Sequence, residues 1–298
     1  MLRRAAWLIG VLLVLCAGTA TAVDDTQPGF AFLTIGGGAR AVGLAETMVG
    51  DDQDAFVTEY NPAALVDVSR VAVSFAHNVF YLDTRGEYVA AVVPLHAWSI
   101  GARVGYVGTS DIPMRTGPSD EPLALFDGSN AVVQGALARR VDDRLAVGLS
   151  AAYVAENINL ETAQGFTLGV GLRYRPVRNV TMGCAFLNVG PATKFKDREF
   201  RMPSIFRFGG RWMIGRASAR AELVTADRDN VKWNLGSEYA VDPRVSLRGG
   251  VRLGYDTQVF TAGLGMQTPD GRFGVDYAYS PYSDDLGATH RFGLTVRP

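Results

Sequence analysis

Residues 244–255 read Arg-Val-Ser-Leu-Arg-Gly-Gly-Val-Arg-Leu-Gly-Tyr. Val245, Leu247, Val251, Leu253 and Tyr255 share one face of an extended chain; Arg244, Ser246, Arg248 and Arg252 share the other. Successive side chains of a strand point to opposite faces, so this is a strand pattern. A helix would be broken by the five glycines between 249 and 265. The pattern recurs. Phe273, Val275, Tyr277 and Tyr279 oppose Arg272, Gly274, Asp276 and Ser280. Phe166, Leu168, Val170, Leu172 and Tyr174 oppose Thr167, Gly169, Gly171, Arg173 and Arg175.

Working outward, such runs predict fourteen strands, near 70–78, 86–94, 97–108, 129–140, 144–156, 164–175, 179–189, 203–213, 217–226, 231–240, 244–255, 257–267, 271–280 and 287–296. Most span 9–13 residues, the length of a tilted strand that crosses a bilayer. Alternate links are short: 95–96, 141–143, 176–178, 214–216, 241–243 and 268–270. The longer links, above all 109–128 and 190–202, fall on the other side. Short periplasmic turns and longer extracellular loops describe an outer-membrane barrel. Tyr106, Tyr153, Tyr174, Phe186, Tyr239, Tyr255 and Tyr279 sit near strand ends, as in interfacial girdles. A soluble β-sandwich also alternates, and is the competing reading. The sequence therefore predicts an all-β fold: a transmembrane antiparallel β-barrel of about 14 strands with an N-terminal plug containing short helices.

Composition supports this. The chain has 298 residues, 34 of them Gly, and a net charge of −1. Near-neutrality speaks against nucleic acid as a partner, because phosphate binding needs a basic surface. Two Cys build neither a disulfide scaffold nor a four-ligand zinc site. Ordinary hydrophobicity fits a wall in which one residue in two meets lipid, leaving small residues such as Gly101, Gly105, Gly148, Gly169, Gly171 and Gly183 for the inner face.

Three segments follow. Residues 1–22 read as a signal peptide, with Arg3 and Arg4 before an apolar run from Ala5 to Ala17 and an Ala20-Thr21-Ala22 cleavage site. The run is too short for a transmembrane helix. Cys16 would suggest a lipoprotein, but the preceding Leu15 is large for a lipobox. Export through the inner membrane to the outer membrane of a Gram-negative type of cell is the localisation implied. Residues 70–298 are the barrel. Residues 23–69 do not alternate and form a plug or hatch segment.

That segment carries Gly36-Gly37-Gly38-Ala39-Arg40-Ala41-Val42-Gly43-Leu44, then Gly50-Asp51-Asp52, Ala55 and Asn61-Pro62-Ala63-Ala64-Leu65. Asn61 suits a helix N-cap and Pro62 a first helical residue. The glycines do not have dinucleotide-fingerprint spacing. In Gly38, Ala39, Arg40, Ala41, Gly43, Asp51, Asp52, Ala55, Asn61, Pro62, Ala63 and Leu65 the segment resembles the start of the PorV/PorQ family, within the FadL-like outer-membrane superfamily. The resemblance implies a fourteen-stranded barrel whose N-terminal segment plugs the lumen. It also implies one of two roles: passage of fatty-acid-like hydrophobic compounds, or a place in type IX secretion, handling protein cargo or partner subunits.

The polar faces of the strands favour Arg: Arg103, Arg173, Arg175, Arg207, Arg211, Arg220, Arg248, Arg252, Arg272 and Arg291, with Glu222, Glu238 and Asp276 among them. The plug is acidic, with Glu46, Asp51, Asp52, Asp54 and Glu59. Two readings follow: luminal Arg and plug acids pair to hold the plug, or some Arg stay free for an anionic head group. His77, His96 and His290 lie apart, and no catalytic or metal motif joins them. The chain is read as a non-enzyme without cofactors. Its expected partners are outer-membrane lipid, a hydrophobic small molecule and, on the second reading, secretion-system proteins. An apolar pocket beside the plug would favour transport; a sealed lumen would favour the secretion role.

Overall fold

A computed structural model describes residues 29–50, 53–118, 120–196, 198–226, 230–283 and 287–298. The signal segment and Asp51 and Asp52 of the plug motif lie outside the described residues. Fourteen antiparallel strands close into one barrel. In chain order they are β1 (Ala72–Val79), β2 (Arg85–Leu95), β3 (Trp98–Met114), β4 (Ala124–Arg140), β5 (Leu145–Ile158), β6 (Glu161–Val177) and β7 (Val180–Val189), then β10 (Ile205–Ile214), β11 (Ala217–Ala226), β12 (Lys232–Ala240), β13 (Val245–Leu253), β14 (Phe260–Gln267), β15 (Phe273–Pro281) and β16 (Ala288–Val296). Two three-residue strands, β8 (Thr193–Phe195) and β9 (Arg198–Phe200), form a hairpin in the long link after β7. Each barrel strand pairs with its neighbour in sequence, and β1 closes onto β16 from Val73↔Val296 to Val79↔His290.

The barrel is inside-out by soluble-protein standards, which removes the sandwich reading. Val104, Leu149, Phe166, Leu168 and Phe260 are each more than half exposed, while Arg173, Arg207, Arg220, Glu222 and Arg291 are buried. Exposure of one apolar residue in two is costly in water but favourable against lipid. No described helix is long and apolar enough to cross a membrane.

Strand ends differ from the sequence reading. The expected loop 109–128 is mostly ladder: Ile112, Pro113 and Met114 pair with Phe126, Leu125 and Ala124. A bulge between Thr109 and Ile112 absorbs the irregularity, with Asp111 at φ 58°. Pro113 and the proline-rich tip had signalled a loop, but a hairpin that stands clear of the bilayer keeps its hydrogen bonds without keeping the lipid-driven alternation.

The described residues of 29–69 lie inside this wall. Gly29 bonds to Arg201 and Phe30 to Glu156, at the long-loop rim. Near Asp67 the segment reaches the short-turn rim and passes into β1. Between these ends it has one five-residue helix, α1 (Ala39–Gly43), and 3-10 turns at Ala31–Thr34, Ala55–Glu59 and Pro62–Asp67. The Asn61 side chain accepts from Ala63 N at 3.0 Å with Pro62 at the first helical position, the capping arrangement the sequence suggested.

Candidate functional site

The plug winds around the inner wall and rests on wall glycines. α1 meets Gly263 of β14 and Gly293 of β16. Leu44 and Ala45 lie on Gly236 of β12 and Gly250 of β13. Val49 lies on Gly183 of β7, Asn61 on Gly171 of β6, Pro62 and Ala63 on Gly148 of β5, and Leu65 on Gly101 of β3. Close approach of two backbones is what a missing Cβ permits. This accounts for eight of the 34 glycines: these residues make the groove in which a non-periodic segment is seated.

Ion pairs then fix the seat. Glu59 of the plug lies 3.0 Å from Arg103 Nη1, and Arg103 Nε donates to Gln134 at 3.0 Å. Glu46 lies 3.6 Å from Arg207 and 3.8 Å from Arg252. Arg207 also donates to Glu222 of the wall at 2.6 Å, whose other oxygen accepts from Val49 N at 3.0 Å. Arg248 bridges Glu238 at 2.6 Å and Asp276 at 2.5 Å, and Glu238 also holds Arg40 of α1 at 2.8 Å. Arg220 Nη1 donates to the carbonyl of Thr47 at 3.4 Å, and Arg291 donates to that of Gly36. Asn61 Nδ2 joins plug to wall by donating to Val49 O at 2.7 Å and Leu172 O at 3.0 Å.

Seven of the sequence-selected arginines, Arg103, Arg173, Arg207, Arg220, Arg248, Arg252 and Arg291, are buried in the lumen. Arg211 faces the short-turn mouth. Arg272 is a correction: it sits in the turn before β15, its side chain largely exposed and 3.9 Å from Asp270. Its alternation parity is luminal, but the strand begins only at Phe273. Of the plug acids, Asp54 caps its own 3-10 turn by accepting from Phe56 N at 3.0 Å. Asp67 was missed. It accepts from Arg173 Nε at 2.8 Å and Arg173 Nη2 at 2.5 Å, and from Arg175 at 3.2 Å. The available signal was its acidity within the same non-alternating segment. Gly38 and Ala39 open α1, and Gly43 closes it against Gly263.

Burial alone would raise the Glu46 carboxyl, but Arg252, Arg207 and Arg291 outweigh it and hold the group below its usual value of 4.5. Burial, with the carboxylates of Glu46 and Glu59, pushes Tyr60 well above the usual tyrosine value. Tyr60 therefore stays a neutral phenol, with Arg207 stacked 4.9 Å from its ring centre. A carboxylate with a lowered folded-state value stabilises the fold above 4.5 and loses that contribution as pH falls through the lowered value. Thermal unfolding of the wild-type barrel is therefore expected to drop in acid below this point. Glu46→Gln should cost roughly 3 kcal/mol at neutral pH, as for a broken buried pair, and flatten the acid limb. An unchanged limb in the variant would assign the acid sensitivity to other groups.

Among the described residues, plug and wall pack closely across the lumen. At its centre, beside Tyr60, Arg103 and Arg207, remains a cavity of ≈ 20 Å³, room for about one water. Above it, toward the long loops, Phe30 and Phe32 of the plug pack with Val132, Val154, Ala163 and Met202 of the wall and links, joined by Leu33 and Phe195. Among the described residues no cluster of His, Cys, Asp and Glu could hold a metal. His77 pairs with Glu87 on the outer face at 2.6 Å, and His290 with Tyr277 at 2.8 Å; His96 lines the short-turn mouth.

No protein-family model matches the chain, and no curated protein matches it significantly. Solved structures do. The toluene transporter TbuX of Ralstonia pickettii superposes with a TM-score of 0.69 at 14% identity, over 88% of this chain and 98% of that one. The toluene transporter TodX of P. putida gives 0.67 at 12%, over 88% and 99%. A Pseudomonas aeruginosa FadL homologue gives 0.56 at 13%, over 93% and 99%. At these identities the likeness is one of fold alone: this chain shares the barrel fold of the two toluene transporters and the FadL homologue.

Proposed function

We propose that the barrel carries hydrophobic or amphipathic small molecules across the outer membrane, with the plug closing the lumen at rest. The observation that carries this reading is the near full-length fold match to two toluene transporters. The apolar cluster around Phe30 and Phe32 supports it, since it lines the long-loop end of an otherwise Arg- and Glu-rich lumen. The long-loop rim of such barrels is extracellular, so this buried apolar cluster lies toward the end from which a hydrophobic solute would enter.

The sealed centre is the feature expected of a non-transporting secretion component. It is equally the resting state of a gated channel, and none of the structural comparisons favours a secretion role. The finer resemblance to the PorV/PorQ family rests on the plug motif alone.

Uptake of radiolabelled toluene into proteoliposomes containing the full chain tests the reading. Uptake well above protein-free liposomes is expected; equality with them would end the transport proposal. Phe32→Asp, which places a charge in the apolar mouth, should cut the rate by roughly tenfold, while Phe32→Leu should preserve it.

A further inference from the structure

The short-turn mouth differs chemically from the rest of the protein. Arg140, Arg175, Arg211, Arg244 and Arg297 line three polar cavities there, of ≈ 500, ≈ 260 and ≈ 330 Å³. All three cavities share Gln53 of the plug, so they form one trough around it. The carboxylates lining the trough have partners: Asp67 holds Arg173 and Arg175, Asp276 holds Arg248, Glu238 holds Arg248 and Arg40, Asp54 accepts from Phe56 N, and Asp270 accepts from Thr268 Oγ1 and Arg272 N. Among the described residues the three lysines, Lys194, Lys196 and Lys232, all lie at the opposite rim. The mouth thus uses arginine alone, the side chain whose planar fork matches carboxylates two bonds at a time. The carbonyl of Val66 occupies only one Arg140 donor, at 2.7 Å, and a guanidinium has five.

We propose that this trough docks an acidic peptide segment of a periplasmic protein. At this mouth Arg175, Arg211 and Arg297 are half-buried, while Arg140 and Arg244 are exposed. A single small anion fills one cavity and meets two or three guanidiniums. Five of them around connected cavities match several carboxylates carried on one extended chain. The short-turn rim faces the periplasm in barrels of this type, so the partner is a periplasmic one. Docking here would set a receiving protein at the exit of the lumen.

The test uses the full chain in detergent micelles at low ionic strength, with fluorescein-labelled hexaglutamate as probe and fluorescence anisotropy as readout. Hexaglutamate should bind, hexalysine should not, and added salt should weaken binding. R140Q/R211Q/R297Q should weaken it by about tenfold or more, with heat-modifiable gel mobility showing that the barrel is intact. Three results overturn the proposal. One is equal affinity in wild type and triple variant. A second is displacement of the peptide by phosphatidylglycerol vesicles or by low-millimolar inorganic phosphate, which would make the site one for lipid or a small anion. The third is binding seen only with D51N/D52N, which would mean that the chain's own acidic pair fills the trough.

Discussion

Gly183→Val is expected to unseat the plug and open the barrel to hydrophilic solutes. A Cβ at Gly183 runs into the carbonyl of Val49 and lies 2.9 Å from the Asn61 amide nitrogen. Neither neighbour yields cheaply. β7 is hydrogen-bonded to β6 on one side and β10 on the other. Val49 is tied through its N–H to Glu222 and through its carbonyl to Asn61. Overpacking of this kind costs about 1–3 kcal/mol or more, and each plug bond lost adds about 1 kcal/mol. The wall is the more cooperative partner, so the plug gives way. In proteoliposomes the variant should admit sugars that wild type excludes, read as swelling, while gel mobility reports a folded barrel. Gly135→Val is the control, because an added Cβ there meets nothing within 4 Å. If both variants stay closed and melt alike, the glycine groove does not hold the plug.

That glycine groove shows where sequence reading succeeded and where it stopped. The wall was legible because lipid enforces alternation on every crossing strand; residues 244–255 announced both the strand and its inner arginines, Arg248 and Arg252. The glycines on the inner face were visible too, but their purpose was not. Which plug atom meets Gly183 or Gly148 depends on how a segment without periodicity winds around the barrel, and no local pattern encodes that path. The same limit hid Asp67, whose partners Arg173 and Arg175 lie more than a hundred residues away. Strand ends failed for a different reason. Beyond the bilayer the ladder persists through Ile112–Met114, but water on both faces removes the pressure that made the pattern readable. Arg272 failed at the other rim, where parity was carried one residue back into the turn before the strand begins.

Locking the plug should abolish transport if passage requires plug movement, and the structure offers a place for the lock. Ala39 at the start of α1 faces Gly293 of β16, and a Cβ built at Gly293 lies 3.4 Å from Ala39 Cβ. A disulfide needs about 3.5–4.5 Å between these atoms, so Ala39→Cys with Gly293→Cys requires only a small adjustment. The bond would fasten α1 to the strand that closes the barrel against β1. The native Cys184 lies on β7, away from this strand pair in the barrel order, and Cys184→Ser removes it as a competing thiol. The centre of the lumen has room for about one water, so toluene cannot pass beside a fixed plug. Oxidised A39C/G293C should therefore lose nearly all uptake, and dithiothreitol should restore it in the same vesicles. Each single-cysteine chain should transport as wild type in both redox conditions. Full uptake by the oxidised double variant, with the cross-link verified by mass spectrometry, would show that α1 stays in place during passage. The route would then have to run past the other end of the plug, where Phe30 and Phe32 meet Met202 and the long loops, and the Glu46, Glu59 and Arg207 contacts would be the ones that yield.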